Sequence, residues 1–325
     1  QIPSGSRSLM SLRLPEIKSI RYLSLILLVG FVPASLGYLY TEGKSPAEIT
    51  TLEVKGAPAG IVFIADPHLR ESNIDQTREI IRQINELHPS LVLIGGDFVY
   101  DRQENLSLQT VWSEVDAPVY AVLGNHDYQS GIVSSSCWEK TLTDPKPPLQ
   151  IGDYDALRVH DDSADYAYAD KVAGVLAKNG VKVLRNEYDV ITIDGRSVTI
   201  VGVDDGWAGM AHPPDVPELL KNDSFVIYMI HEPAYRGNGD ADLTLAGHTH
   251  GGQIYPAGFE RVISGGMVTL SGKIDEGGKI TYISRGIGTS NLDITLRASP
   301  PEIVVINPPL QGQADNGTSG IQLKE

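Results

Sequence analysis

Leu243-Thr244-Leu245-Ala246-Gly247-His248-Thr249-His250 is a short apolar run that ends in two imidazoles two residues apart. Alternate side chains of an extended segment point the same way, so both rings can reach one ligand as the chain leaves the run. Alone, such a phrase is equally a surface turn or a metal-binding arrangement. Its upstream neighbours decide between them. Ile61 to Ala65 leads into Asp66-Pro67-His68, and Leu91 to Ile94 leads into Gly96-Asp97. Val119 to Leu123 leads into Gly124-Asn125-His126-Asp127, and Phe225 to Ile230 into His231-Glu232. Five of the eight histidines lie in these segments, and histidines without a shared role would rarely gather at strand ends. His88, His160 and His212 have no such context and read as ordinary surface or core residues.

The donor types narrow the chemistry. Carboxylate and amide oxygens suit hard divalent cations, whereas imidazole suits Zn, Cu, Fe or Ni, so a mixed set points to first-row metals. Asp66, His68, Asp97, Asn125, His231, His248 and His250 supply enough donors for two ions. Each follows an expected strand, where an open α/β sheet places its ligand-binding loops.

Short, mostly apolar runs imply buried strands, and the apolar positions between Ile74 and Leu87 recur at helical spacing, with Ser72 or Asn73 as the cap. Alternation of the two predicts an α/β layered core. Val181 to Leu184, Val190 to Ile193 and Val198 to Val203 read as strands, with Asp194-Gly195 as the hairpin turn between the last two. Ile280 to Ile283 and Ile303 to Ile306 are expected to complete a second sheet. The polar stretch from Gln129 to Tyr168 reads as a loop insertion beside the site, and Thr41 to Pro58 as a linker. The catalytic domain is expected over residues 59–308, followed by a disordered tail over 309–325 rich in Gly, Asn, Gln and Ser.

In their order and wording these segments resemble the calcineurin-like metallophosphoesterases, over about Gly60 to Ile306. Gly96-Asp97-Phe98-Val99, His231-Glu232-Pro233, Gly247 to Gln253 and Ser284 to Ser290 are similar to the membrane-anchored YkuE type within that superfamily. The resemblance implies a layered α/β/β/α sandwich of two mixed sheets. It implies that Asp66, His68, Asp97 and His250 hold one divalent ion, and that Asp97, Asn125, His231 and His248 hold the other, with Mn, Zn and Fe as the candidates. Two cations about 3.5 to 4 Å apart would activate a bridging water as hydroxide for in-line attack on phosphorus. The resemblance further gives His126 the phosphate-side role of charge stabiliser or proton donor, with Asp127 as its orienting partner, and makes Asn125 and His126 substrate contacts. Many relatives carry an acidic residue where this chain has Tyr100, followed by Asp101, which puts the surroundings of the site in doubt and leaves the ligands intact. Arg285 has two readings, a contact to substrate phosphate or a brace for its own loop. Trp138, Trp207 and Tyr128 are candidates for pocket lining or packing.

The net charge of −15 argues against a nonspecific nucleic-acid binder, because phosphate backbones are held by Lys and Arg. The single Cys137 excludes an intramolecular disulfide and a Cys-rich zinc module. The chain begins at Gln1 and Met10 is a candidate start. After a basic segment over 1–21, the 19 residues Tyr22 to Tyr40 carry no charge and would span about 28 Å as a helix, near the roughly 30 Å of a bilayer core. A single-pass transmembrane anchor is the expectation, with a cleaved signal segment or a buried helix as alternatives. Arg13, Lys18 and Arg21 precede the run while two lysines and three glutamates follow it through Lys55, which places the catalytic domain outside the cytoplasm.

The leading functional expectation is a dinuclear phosphohydrolase that cleaves phosphodiester or pyrophosphate bonds. A lipid-linked substrate such as that of the UDP-2,3-diacylglucosamine pyrophosphatases, known among relatives, is the alternative within the class. A noncatalytic scaffold of the same fold and a mononuclear zinc hydrolase are the competing classes.

Overall fold

The computed structural model describes residues 34–41, 44–132, 139–140, 161–236, 241–253, 270–290, 297–298 and 300–308. Two six-stranded sheets carry the chain. The first has the order β1 (Glu48–Leu52), β12 (Glu302–Ile306), β2 (Ile61–Ile64), β3 (Leu91–Ile94), β4 (Val119–Ala121), β5 (Val181–Val183). Its strands run parallel from β2 to β5, with β12 antiparallel to β2. The second has the order β10 (Gly272–Glu276), β11 (Lys279–Ile283), β9 (Leu243–Ala246), β8 (Phe225–Met229), β7 (Arg196–Gly202), β6 (Glu187–Ile193). There the four central strands are parallel and the two outer strands antiparallel to their neighbours.

Strands β2, β3, β8 and β9 are buried along their whole length, as their continuous apolar sequences require of strands covered on both faces. Alternation then divides each strand between two cores. Ile61, Phe63, Leu91 and Leu93 join Ile227, Met229, Leu243 and Leu245 in the layer between the sheets. Val62, Ile64, Val92 and Ile94 face the helices α1 (Ile74–Glu86) and α2 (Tyr166–Lys178). Each such side chain contributes about 1.5–3 kcal/mol on full burial, so the interleaved layer fixes the sheets against one another. Helix α1 packs through Thr77, Ile80, Ile81 and Ile84. Helix α2 is capped by Asp165, whose side chain accepts from the Tyr168 amide. The outer face of the second sheet packs on loop residues and the short helix α3 (Glu218–Asp223). Asp194 and Gly195 both take positive φ, the geometry of the expected hairpin turn.

Three expectations need correction. The linker expected over Thr41 to Pro58 contains β1, which pairs parallel with β12 and closes the first sheet. Its five residues are mostly exposed and three of them polar, as suits an edge strand, so it carries no core signal in sequence. Ile303–Ile306 belongs to β12 of the first sheet, not to the second, because an apolar run fits either layer and only long-range pairing chooses. Part of the expected insertion, from Tyr166, is the first turn of α2.

Residues 34–41 are helical, and among the described residues no helix is long and apolar enough to cross a membrane. Residues 22–33 of the expected anchor, Cys137, Trp138, His160 and the tail lie outside the described residues.

Candidate metal centre

All seven candidate ligands lie at the C-terminal ends of parallel strands: Asp66 and His68 after β2, Asp97 after β3, Asn125 after β4, His231 after β8, and His248 and His250 after β9. The loops after β2 and β3 continue the ladder beyond the strands. The Asp66 amide donates to Gly96 O (3.1 Å) and the His68 amide to Asp97 O (2.9 Å). Asn73, an expected helix cap, spends its side chain here instead. Its Nδ2 donates to Pro67 O and His68 O, each at 3.1 Å, and its Oδ1 accepts from the Arg70 amide.

Asp66, His68, Asp97, His248 and His250 all adopt positive φ, a region that side chains other than glycine rarely occupy. Such strain persists only where surrounding contacts enforce it, and it concentrates at functional sites. The space is equally demanding: a side chain at Gly124 would meet the Asp97 amide at 2.6 Å and His231 Cε1 at 2.8 Å.

Asp97 stands in the middle. Its Oδ1 accepts from the His126 amide (2.8 Å), leaving Oδ2 at 3.3 Å from His68 Nε2 and 3.2 Å from His231 Nε2. On one side His68 Nε2 lies 3.0 Å from His250 Nε2, which is 3.7 Å from Asp66 Oδ1. On the other, His248 Nδ1 lies 3.1 Å from Asn125 Oδ1 and 3.3 Å from His231 Nε2. Asn125 Nδ2 donates to Ser130 O, which turns its oxygen inward.

The donor set fits cations. His68, His231 and His250 each donate Nδ1–H to a main-chain carbonyl, of Val99, Gly95 and Gly288, so Nε2 faces the centre in each and is a bare lone pair in His68 and His250. Two such lone pairs facing each other at 3.0 Å repel unless a positive ion lies between them. Atoms that share an ion at roughly 2.0–2.2 Å sit about 3 to 3.5 Å apart, the spacing seen here except for Asp66 Oδ1, which stands 3.7 Å from His250 Nε2. Burial and the neighbouring His126 hold His68 well below the usual imidazole range, burial and His68 do the same to His250, and burial sets His248 at about 4, favouring the neutral ligand form. Burial raises Asp66 to about 7, whereas His231, His126 and His68 outweigh burial to keep Asp97 well below the carboxylate range.

His126 sits beside the centre, with its ring edge-on to His68 at 4.5 Å between centroids and its Nδ1–H donated to Tyr100 O (2.7 Å). Tyr100, which replaces the acidic residue of many relatives, therefore contributes its carbonyl, and its ring carries the Arg70 guanidinium at 4.1 Å. The expected pairing of Asp127 with His126 is not formed. Asp127 is fully buried, Oδ1 accepting from the Phe98 and Val99 amides and Oδ2 from the Gly124 amide. A carboxylate occupied by three main-chain donors fixes the two loops and does not orient a catalytic ring. Arg285 is placed as a brace: Nη2 contacts Glu48 (2.8 Å) and Glu302 (3.2 Å), and its amide donates to Glu302. Tyr128 packs, with its hydroxyl on Asp204.

Two supports carry no sequence signal. Arg297 is wholly buried and donates to the carbonyls of Arg285, Gly286 and Gly288, the last of which also receives His250 Nδ1–H. Asp205 and Glu232 form a buried acidic pair: burial and the adjacent Glu232 carboxylate push Asp205 well up, while His231 and Asp205 outweigh burial to lower Glu232.

The sequence pattern of the calcineurin-like phosphoesterases matches residues 60–252, a span that contains every candidate ligand. The uncharacterized metallophosphoesterase YkuE of Bacillus subtilis is 27% identical over 300 residues, covering 86% of this chain and 92% of that protein. An uncharacterized metallophosphoesterase of Aquifex aeolicus is 27% identical over 278 residues, 79% of this chain and 88% of its own. The phosphodiesterase YaeI of Escherichia coli is 30% identical over 210 residues, 61% and 63% of the two chains. With the ligand cluster at the strand ends, these matches establish that the chain belongs to the calcineurin-like phosphoesterase family and is a phosphoesterase hydrolase of the YkuE type.

Proposed function

We propose that the chain is a dinuclear metal-dependent phosphohydrolase acting on phosphodiester or pyrophosphate bonds. The observation that carries the reading is the position of Asp97 Oδ2, within 3.3 Å of one imidazole from each donor group. Asp66, His68, Asp97 and His250 would hold one ion, and Asp97, Asn125, His231 and His248 the other. Divalent ions bound there supply Lewis acidity and lower the pKa of coordinated water toward about 7.

The chain's own residues supply the rest. Asp97, common to both groups, places a negative charge where two cations would repel. His126 is held through Nδ1 by Tyr100 O, so its Nε2 is the atom that can deliver a proton to the leaving oxygen or stabilise charge on phosphate. Asn125, fixed by Ser130 O, is the neutral oxygen donor next to it. Arg285 is already paired with two carboxylates, so the phosphate contact is assigned to Asn125 and His126.

The uncharged Tyr22 to Tyr40 run supports attachment to a membrane, and the charges that flank it support an extracytoplasmic domain. A lipid-linked substrate suits that attachment, although a UDP-linked lipid would require the opposite orientation. Protease access to the C-terminus in intact cells separates the two. For the reaction, the purified chain is incubated with an aryl phosphodiester and Mn²⁺, Zn²⁺ or Fe²⁺. Turnover that stops with chelator is expected, and inactivity with every metal would overturn the reading.

A further inference from the structure

Four of the five imidazoles at the centre are oriented by one device. His68, His126, His231 and His250 each donate Nδ1–H to a main-chain carbonyl, which turns Nε2 toward the site. His248 departs from this pattern. Its inward atom is Nδ1, facing Asn125 Oδ1 and His231 Nε2, and among the described residues its Nε2 has no hydrogen bond. No carbonyl fixes the ring, yet a metal ligand with a freely turning ring is a poor one.

The ring is instead held by packing. Trp207 meets it edge to face, with centroids 4.3 Å apart and planes at 76°. Trp207 is almost wholly buried, and its six-membered ring lies so close over Gly131 that a Cβ there would come within 2.6 Å of it. Its main chain is pinned as well. The Gly206 amide donates to Glu232 Oε2 (2.9 Å), the Trp207 amide to Glu232 Oε1 (3.3 Å), and Trp207 O accepts from Lys140 Nζ (2.5 Å). Glu232 directly follows the ligand His231. One residue of that pair points into the centre, and the next clamps the turn that steadies the other histidine of the same donor group.

We infer that Trp207 is the positioning residue of His248, that Glu232 seats it, and that the two set the affinity of the cation held by Asn125, His231 and His248. The inference rests on the dinuclear reading. It assigns the buried Glu232 a purpose that neither the ligand set nor His126 requires.

The test is metal binding by the full chain, read by Mn²⁺ titration against a competing chelator and by the spin-coupled signal of a paired Mn²⁺ site, without reference to turnover. In W207A one of the two Mn²⁺ ions should lose affinity by about tenfold or more, the scale for removing a ligand's outer support, while the other stays within about twofold. W207F keeps an aromatic edge against His248 and should recover most of the loss. E232Q retains the shape but accepts poorly from two amides and should fall between. Thermal unfolding of each variant separates positioning from a general loss of structure, which would weaken both ions together. Wild-type chain that binds two ions, with W207A binding both as tightly or losing both equally, overturns the inference and leaves the dinuclear reading intact. Wild-type chain that binds only one ion overturns both.

Discussion

On the first-sheet rim, main-chain hydrogen bonds run directly between the ligand loops, from Asp66 to Gly96 and from His68 to Asp97, and Asp127 ties a third loop to them. The second-sheet rim has one such bond, from the Gly247 amide to His231 O (3.0 Å), and is otherwise aligned by bonds that cross the gap between sheets: the His248 amide donates to Asp66 Oδ1 (2.8 Å) and His231 Nδ1 to Gly95 O (2.7 Å). The first rim is a frame and the second is docked onto it. Carboxylates and the amide come from the frame, three of the imidazoles from the docked side, and the centre exists only when the inter-sheet layer is packed. Damage to the frame should therefore reach both donor groups, whereas damage on the docked side should stay local.

The largest effect is expected at Asp97. D97N keeps the shape of the side chain but removes the shared charge, and a metal centre supplies several kcal/mol of transition-state stabilisation, with 1.36 kcal/mol per factor of ten. We expect a loss of roughly 10³-fold or more in rate together with reduced content of both metals by elemental analysis. Loss of a single ion with the other fully retained would mean that Asp97 belongs to one group only.

His126 belongs to the frame by its main chain and to the chemistry by its ring. H126A should lower kcat by about 10² to 10⁴, the usual contribution of general acid catalysis, while both metals stay bound. Normal turnover would remove His126 from the mechanism. Loss of metal would show that it is a ligand, a role its position near His68 and Asp97 makes worth measuring.

The gathering of the candidate ligands on both rims was legible in sequence because each closes a short apolar run, and a strand end is a place that chain order alone marks. What held them in place was not. Asp127 follows His126, and adjacency suggested a partnership, yet its carboxylate reaches over to the amides of Phe98 and Val99 in another loop. Adjacent residues in a turn point apart, so neighbourhood in sequence is a weak guide there. Trp207 offered only its size, with no spacing that tied it to His248 some forty residues on. Arg297 had no motif at all, since a buried arginine is recognised by the carbonyls it finds. The placement of β12 failed for the same reason: periodicity reports which faces are apolar, and long-range pairing decides which sheet receives them.

Gly124 tests the lacing of the frame itself. In G124A the added methyl would press on the Asp97 amide and the His231 ring, neither of which can withdraw without moving a ligand. Overpacking of this kind costs about 1–3 kcal/mol, to be seen as a lower Tm, and metal content should fall with it. Unchanged Tm and metal would mean that the two rims are less tightly joined than the asymmetry requires.

The smallest effect should come from Asp161, at the outer margin of the frame. Its carboxylate accepts from Ser130 Oγ (2.7 Å) and pairs with Lys140 (3.2 Å), and the Ser130 carbonyl in turn fixes the amide of Asn125. Burial alone would raise its pKa, but hydrogen bonds from Ser163 and Ser130, with Lys140, lower it from 3.8 to about 2. A depressed carboxylate stabilises the fold above its unfolded value and loses that contribution as pH falls through the folded one. The difference in stability between wild type and D161N should therefore be full at neutral pH, shrink below about pH 4 and vanish near pH 2. The carboxylate is part-buried near the surface, where solvent screening limits the difference to about 1 kcal/mol or less, measured by denaturant titration across pH. Metal content at neutral pH should not change. If it does fall, the support of Asn125 passes through Ser130 to Asp161, and the frame extends one layer further from the cations than the main-chain bonds alone define.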